Sequence, residues 1–186
     1  MVENMEQSIK IIALDMDGVI NSNELIQKWI NEHEKKYGRE KSIKIYREEF
    51  CNCEELVFPE LAEKITKIVN ETDCYILWTS TWRKLERYKD IEDAKDMFNR
   101  RGLPGDKLIA YTPQIGMSWG GHCRGSEIAA WIRNNTEYDI IKCAVIDDRI
   151  DAGENLPKNA KYFNINANIG ITTKIAKKII QYLNEE

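Results

Sequence analysis

The stretch from Ile9 to Asn21 constrains the fold more than any other, because an apolar run ends there in two carboxylates one residue apart. Ile9, Ile11, Ile12, Ala13 and Leu14 are aliphatic and almost unbroken, as in a strand buried on both faces in the middle of a parallel sheet. Asp15 and Asp17 fall just past its carboxyl end, the edge where open α/β sheets bind ligands. Side chains alternate along an extended chain, so both carboxylates are expected to point the same way, with Met16 pointing elsewhere. Two anions held so close imply either a shared proton or a bound divalent metal. Gly18 follows where the chain must turn tightly. A calcium loop is excluded, since Asp17-Gly18 runs into apolar Val19-Ile20 instead of further oxygen ligands.

The same pattern returns late in the chain. Ile140-Ile141-Lys142-Cys143-Ala144-Val145-Ile146 reads as a second buried strand and terminates in Asp147-Asp148-Arg149-Ile150-Asp151. One acidic strand end is compatible with a turn, but two in one α/β chain point to a shared site. Between them, Cys74 to Trp78 is a third apolar run that stops in Thr79-Ser80-Thr81-Trp82-Arg83. Three consecutive hydroxyls exceed what one helix cap needs, so Thr79 or Ser80 is expected to face a ligand while a later one caps. Leu108 to Tyr111 reads as a further strand and Tyr162 to Ile165 as a short edge strand.

Helical stripes fill the intervals: Glu24 to Tyr37, a less regular segment from Ser42 to about Cys51, Pro59 to about Asn70, Ile91 to Arg101, a helix capped by Ser126, and a last one capped by Thr172. The alternation predicts one α/β domain over residues 1–186, with a doubly wound, mainly parallel, Rossmann-like sheet. A small helical insertion at about 22–56 follows the first strand and could form a modest lid over the carboxyl edge. Thr112 to Cys123, with Gly116, Gly120 and Gly121, lacks the spacing of a nucleotide-binding P-loop.

Charge and composition then remove whole classes. Thirty-one acids against 27 bases, in a chain with 42% apolar and 31% charged residues, describe an ordinary soluble protein and not a basic nucleic-acid binder. Local basic clusters stand at Arg83-Lys84 with Arg87 and at Arg100-Arg101. The acidic start of the chain is unlike a secretory signal and no apolar run approaches a membrane span, so a cytoplasmic location without membrane contact is expected. Five scattered cysteines suit reduced core residues better than a disulfide framework. Cys51, Cys53, His122 and Cys123 lack the paired spacing of a structural zinc site.

Taken in order, Leu14-Asp15-Met16-Asp17-Gly18-Val19, Leu77-Trp78-Thr79-Ser80, the Arg124-Gly125 helix start and Ile146-Asp147-Asp148 resemble the four motifs of haloacid dehalogenase (HAD)-like phosphohydrolases. More narrowly, Ser80-Thr81-Trp82-Arg83 and the run from Arg124 to Ile132 resemble the small, minimally capped branch found in RNA-repair proteins. The resemblance implies a magnesium-dependent phosphatase in which Asp15 attacks phosphorus, giving an aspartyl phosphate, and Asp17 acts as acid and then base. It implies Mg2+ held by Asp15, the Asp17 carbonyl and Asp148, with Asp147 or Asp151 acting through water or orienting the metal. It also implies phosphate binding by Thr79, Ser80 and backbone amides near Gly18, with Arg124 as fixed positive charge in a position more often occupied by lysine. Lys142 is the other candidate for that charge, set back within its strand.

Two other classes fit less well. A phosphate-accepting receiver domain also places acids and a hydroxyl at strand ends, but here the hydroxyls precede the Asp147-Asp148 pair. A non-catalytic binding protein of the same fold would be expected to have lost a carboxylate, and none is missing. The substrate class is a phosphate monoester: a small molecule, a nucleotide or a nucleic-acid end. A short insertion leaves the site open to bulky substrates, with Trp82, Trp119 and Arg83 as candidates to contact a nucleotide, while Trp78 and Trp131 read as core. No feature of the sequence calls for a protein partner.

Overall fold

The computed structural model describes residues 7–45, 56–115 and 123–185. Among them, five parallel strands form one sheet in the order β3-β2-β1-β4-β5. The strands are β1 (Gln7–Leu14), β2 (Tyr75–Trp78), β3 (Leu108–Tyr111), β4 (Tyr138–Asp147) and β5 (Ala160–Asn164). The helices are α1 (Asn23–Tyr37), α2 (Arg39–Ile45), α3 (Pro59–Thr72), α4 (Ile91–Arg100), α5 (Arg124–Asn134) and α6 (Thr173–Asn184). The first strand is central, paired with β2 on one side and β4 on the other. That is the position its two-sided apolar sequence requires.

Alternation along β1 sends Ile12 and Leu14 into a core shared with α3, α4 and α6, and Ile11 and Ala13 into a second one closed by Ile128 and Trp131 of α5. The same period sorts the neighbours. Cys143 and Val145 of β4 and Leu77 of β2 join the α5 side, whereas Ala144, Ile146, Ile76 and Trp78 join the other. Extending the alternation past each strand end puts Asp15, Asp147 and Thr79 on the side of α5, so the sheet delivers three polar groups to the start of one helix.

Several boundaries differ from the sequence expectation. The helix read as capped by Ser126 begins three residues earlier than that cap implies, at Arg124, with Cys123 in the capping position, so Arg124 and Gly125 lie in its first turn. A Cβ on Gly125 would lie 1.9 Å from the Glu154 carbonyl oxygen, so only glycine lets α5 start this close to the turn after Asp151. The short second helix starts at Arg39, ahead of the expected Ser42, and its expected continuation to Cys51 lies outside the described residues. No regular α-helix follows directly on β2; two 3₁₀ turns, Thr81–Lys84 and Glu86–Tyr88, carry the chain to α4.

The first of those turns contains Arg83, which the sequence suggested as a surface base and the structure buries at 8% exposure. Its guanidinium donates to the carbonyls of Thr79, Ser80 (2.7 Å) and Thr112 (3.1 Å) and pairs with Glu127 Oε2 at 2.7 Å. A flexible lysine could not serve four acceptors spread over two strand ends and a helix in one plane. This strut fixes α5 against the ends of β2 and β3. It also removes Arg83 from any surface that could meet a nucleotide. Arg83→Met is expected to lower stability by about 3–5 kcal/mol, because the Glu127 carboxylate then stays buried without its guanidinium. The double variant Arg83→Met/Glu127→Leu should be more stable than the sum of the two single losses predicts, a coupling that urea unfolding of the four proteins measures.

Candidate active site

The site is assembled at the carboxyl edge around one guanidinium. Arg124, in the first turn of α5, reaches Asp15 Oδ2 at 2.5 Å and Asp147 Oδ2 at 2.7 Å through the same nitrogen, with all three side chains at most 5% exposed. Asp147 Oδ1 accepts from the Arg149 amide at 2.8 Å. The positive charge expected of Arg124 therefore points inward. Lys142 lies elsewhere, its ammonium donating to the carbonyls of Tyr182 (2.8 Å) and Glu185.

Burial dominates the electrostatics. It raises the Asp15 carboxyl above the ordinary range, with Arg124 opposing it and the charge of Asp17 adding to it. Burial together with repulsion from Asp15 lifts Asp147 to about 7, again against Arg124. Burial also raises Asp148. For Arg124, burial favours the neutral form, yet the two carboxylates outweigh it and hold the guanidinium charged. One cation thus serves two buried anions with a third alongside, an arrangement that favours a further positive charge.

Asp15, Asp147 and Asp148 each present an oxygen within 4.8 Å of the others, which suits a hard, oxygen-seeking cation such as Mg2+. Gly18 makes room for the third carboxylate. With φ of +72°, a conformation costly for a side chain, it lies so close that a Cβ there would be 2.7 Å from Asp148 Oδ2. Its amide donates to Asn21, to the carbonyl at 3.1 Å and to Oδ1 at 2.8 Å, so the expected phosphate contact from Gly18 gives way to a turn-holding role. Asp151 is also placed outside the cluster. It accepts from the Arg124 amide at 3.0 Å and from Arg149, contacts that lower its carboxyl despite partial burial, and it anchors the start of α5.

Asp17 departs from the expectation that it would share the orientation of Asp15. The chain leaves the extended form after Asp15, with Val19 and Ile20 amides returning to the Met16 carbonyl, and Asp17 ends exposed while Asp15 is 2% exposed. Its carboxylate accepts from Asn21 Nδ2 at 2.7 Å and from Trp82 Nε1 at 2.9 Å. It is not one of the three carboxylates that lie within 4.8 Å of one another, although its charge is close enough to raise both Asp15 and Asp148.

Of the two hydroxyls, Ser80 is the cap: its Oγ accepts from the Trp82 amide at 3.3 Å. Thr79 Oγ1 is fully buried with no hydrogen-bond partner among the described residues, as are Thr112 Oγ1 and Trp78 Nε1. Asn21, Glu127 and the role of Trp82 were not legible in advance. Asn21 sits one helical-turn spacing after Asp17 and Glu127 one turn after Arg124, but neither spacing by itself names a partner. Trp119, Cys51, Cys53 and His122 lie outside the described residues. Cys74 and Cys143 are buried thiols pushed up by burial to about 11 and about 12, consistent with inert core residues. No helix among the described residues is long and apolar enough to cross a membrane.

If the cluster holds Mg2+, added magnesium should raise the melting temperature by mass action. Asp148→Ala and Gly18→Ala should each abolish most of that increment. Asp151→Ala should lower the metal-free melting temperature and leave the increment intact. A thermal-shift titration of the four proteins checks the ordering, and full magnesium stabilisation of Asp148→Ala would remove that residue from the ligand set.

Comparison with known proteins agrees with this architecture. No curated protein matches the chain. Over 96% of its length it superimposes on 97% of the HAD domain of effector protein Lem4 from Legionella pneumophila, with a TM-score of 0.54 and 15% sequence identity, a likeness of fold. Residues 11–176, which include every motif described above, match the model of the HAD domain in Swiss Army Knife RNA repair proteins, and the chain belongs to that family.

Proposed function

We propose that the protein is a magnesium-dependent phosphatase that hydrolyses a phosphate monoester through an aspartyl-phosphate intermediate. The observation that carries this reading is the division of labour between two carboxylates two residues apart. Asp15 is buried and clamped by Arg124, whereas Asp17 is exposed and held separately by Asn21 and Trp82. Carboxylates in such different surroundings can take different roles, one as nucleophile and the other as proton carrier.

In the first step an Asp15 oxygen attacks phosphorus, the bond from phosphorus to the leaving oxygen breaks, and the Asp17 proton passes to that oxygen. In the second, water loses a proton to the Asp17 carboxylate and attacks phosphorus, and the bond to Asp15 breaks, restoring both side chains. The unpartnered Thr79 hydroxyl is suited to donate to a phosphoryl oxygen, and Arg124 keeps the nucleophile oriented while offsetting its charge. Asp15, Asp148 and the Asp17 carbonyl would hold Mg2+, with Asp147 behind them, and the ion would supply the positive charge that lets an anionic nucleophile meet an anionic ester.

For the substrate we favour a nucleotide or a nucleic-acid end over a small metabolite. The family's association with RNA repair supports this, and so does helix α1 of the insertion, none of whose side chains is buried. Arg83 and the Trp82 nitrogen are engaged within the protein, so recognition of such an end would rest on other groups. A panel of mononucleotides, sugar phosphates and 3′-phosphorylated oligonucleotides tests the preference. Asp15→Asn should abolish turnover in that panel while preserving the fold, because the amide keeps the shape and loses the nucleophile. Near wild-type activity in purified Asp15→Asn would exclude the covalent mechanism.

A further inference from the structure

The contact between Trp82 and Asp17 is not explained by packing. The Trp82 ring is only half-buried at the margin of the larger core, where any apolar side chain of similar size would cover the same surface. What tryptophan adds is an indole N–H, and that N–H lies 2.9 Å from Asp17 Oδ2, across 65 residues of sequence. The other oxygen, Oδ1, accepts from Asn21 Nδ2 at 2.7 Å. Both partners can only donate at these atoms. The orientation of the Asn21 amide is itself set, because its Oδ1 accepts from the Gly18 amide at 2.8 Å.

Trp82 is in turn held from several directions. Its amide donates to Ser80 Oγ at 3.3 Å, and its carbonyl accepts from the Leu85 amide at 2.9 Å. The next residue, Arg83, is locked to Thr79, Ser80, Thr112 and Glu127. The indole is thus carried on the end of β2 by a rigid turn and aimed across at a side chain that follows β1. With one N–H on each oxygen, the plane of the Asp17 carboxyl is fixed even though the group is open to solvent. An exposed aspartate would otherwise sample several rotamers.

We propose that Trp82 is a positioning residue for proton transfer: by donating to Oδ2 it holds the Asp17 carboxyl in the one orientation from which its proton reaches the leaving oxygen. This inference rests on the phosphatase reading and adds a residue to it. The step it governs is the one in which the O–H bond of Asp17 breaks as the bond from phosphorus to the leaving oxygen breaks. That proton is needed when the departing oxygen is strongly basic and is dispensable when it is not.

The test is therefore the leaving-group dependence of Trp82→Phe, which keeps an aromatic ring and removes the N–H. In pre-steady-state assays with magnesium, release of phenol from phenyl phosphate is expected to slow by on the order of tenfold or more, part of the ~10²–10⁴ that general acid–base catalysis contributes. Release of dinitrophenol from 2,4-dinitrophenyl phosphate should stay at the wild-type rate, with KM unchanged for both esters. Replacing Trp82 by benzothienylalanine, which keeps the bicyclic shape and exchanges the N–H for sulfur, should give the same pattern should the phenylalanine variant fold poorly. In magnesium-free protein, the indole proton signal of Trp82 should move upfield and exchange faster in Asp17→Ala. Equal loss on both esters, or none on either, assigns Trp82 to packing and overturns this inference alone. Absence of turnover by the wild-type chain on both esters overturns the phosphatase reading and this inference together.

Discussion

Everything at the carboxyl edge of this sheet depends on the Arg124 guanidinium standing between Asp15 and Asp147. Taking three charges out of water is costly, and the mutual attraction repays the cost only where geometry is tight and the remaining hydrogen-bonding positions are filled. Here β1 and β4 are adjacent and in register, so their terminal acids converge on the same point, and the first turn of α5 supplies the cation. The arrangement is still short of positive charge, as the raised Asp15, Asp147 and Asp148 carboxyls record.

Such a centre requires rigid support, which the neighbouring residues supply. Arg83 and Glu127 tie the ends of β2 and β3 to the first turn of α5, and Gly125 lets that helix start against the Glu154 carbonyl. Asp151 accepts from the Arg124 amide and so fixes the backbone from which the guanidinium extends. The dipeptide pairs that look like a signature in the sequence, Trp82-Arg83 and Arg124-Gly125, therefore each combine one side chain that bonds an aspartate at the carboxyl edge with one residue that holds the scaffold. Conservative exchange at the scaffold positions would disturb the site without touching a reacting atom.

The two-residue separation of Asp15 and Asp17 shows where sequence periodicity stops being a guide. Alternation holds while the chain is extended, and through β1 it sorts every residue to its observed face. After Asp15 the backbone turns back on Met16, the period no longer applies, and the second acid emerges into solvent. The same local change gives the two carboxylates the different environments on which a division between nucleophile and proton carrier relies.

By itself the sequence determined the class of fold, the central strand, the two acidic strand ends and the buried tryptophans Trp78 and Trp131, because each is written in local hydrophobic periodicity and in residues that stop it. The ordered motifs also pointed to the family. Only the tertiary structure decided that Arg124 and not Lys142 supplies the inward charge, that Asp151 braces a helix, that Ser80 caps while Thr79 stays unpartnered, and that Arg83 is an internal strut. Those assignments depend on which strand ends and helix starts become neighbours, and pairs such as Arg83 with Glu127 or Trp82 with Asp17 lie 44 and 65 residues apart. Nothing within either segment encodes the other's position; the packing of α5 and the β2 turn against the sheet brings them together.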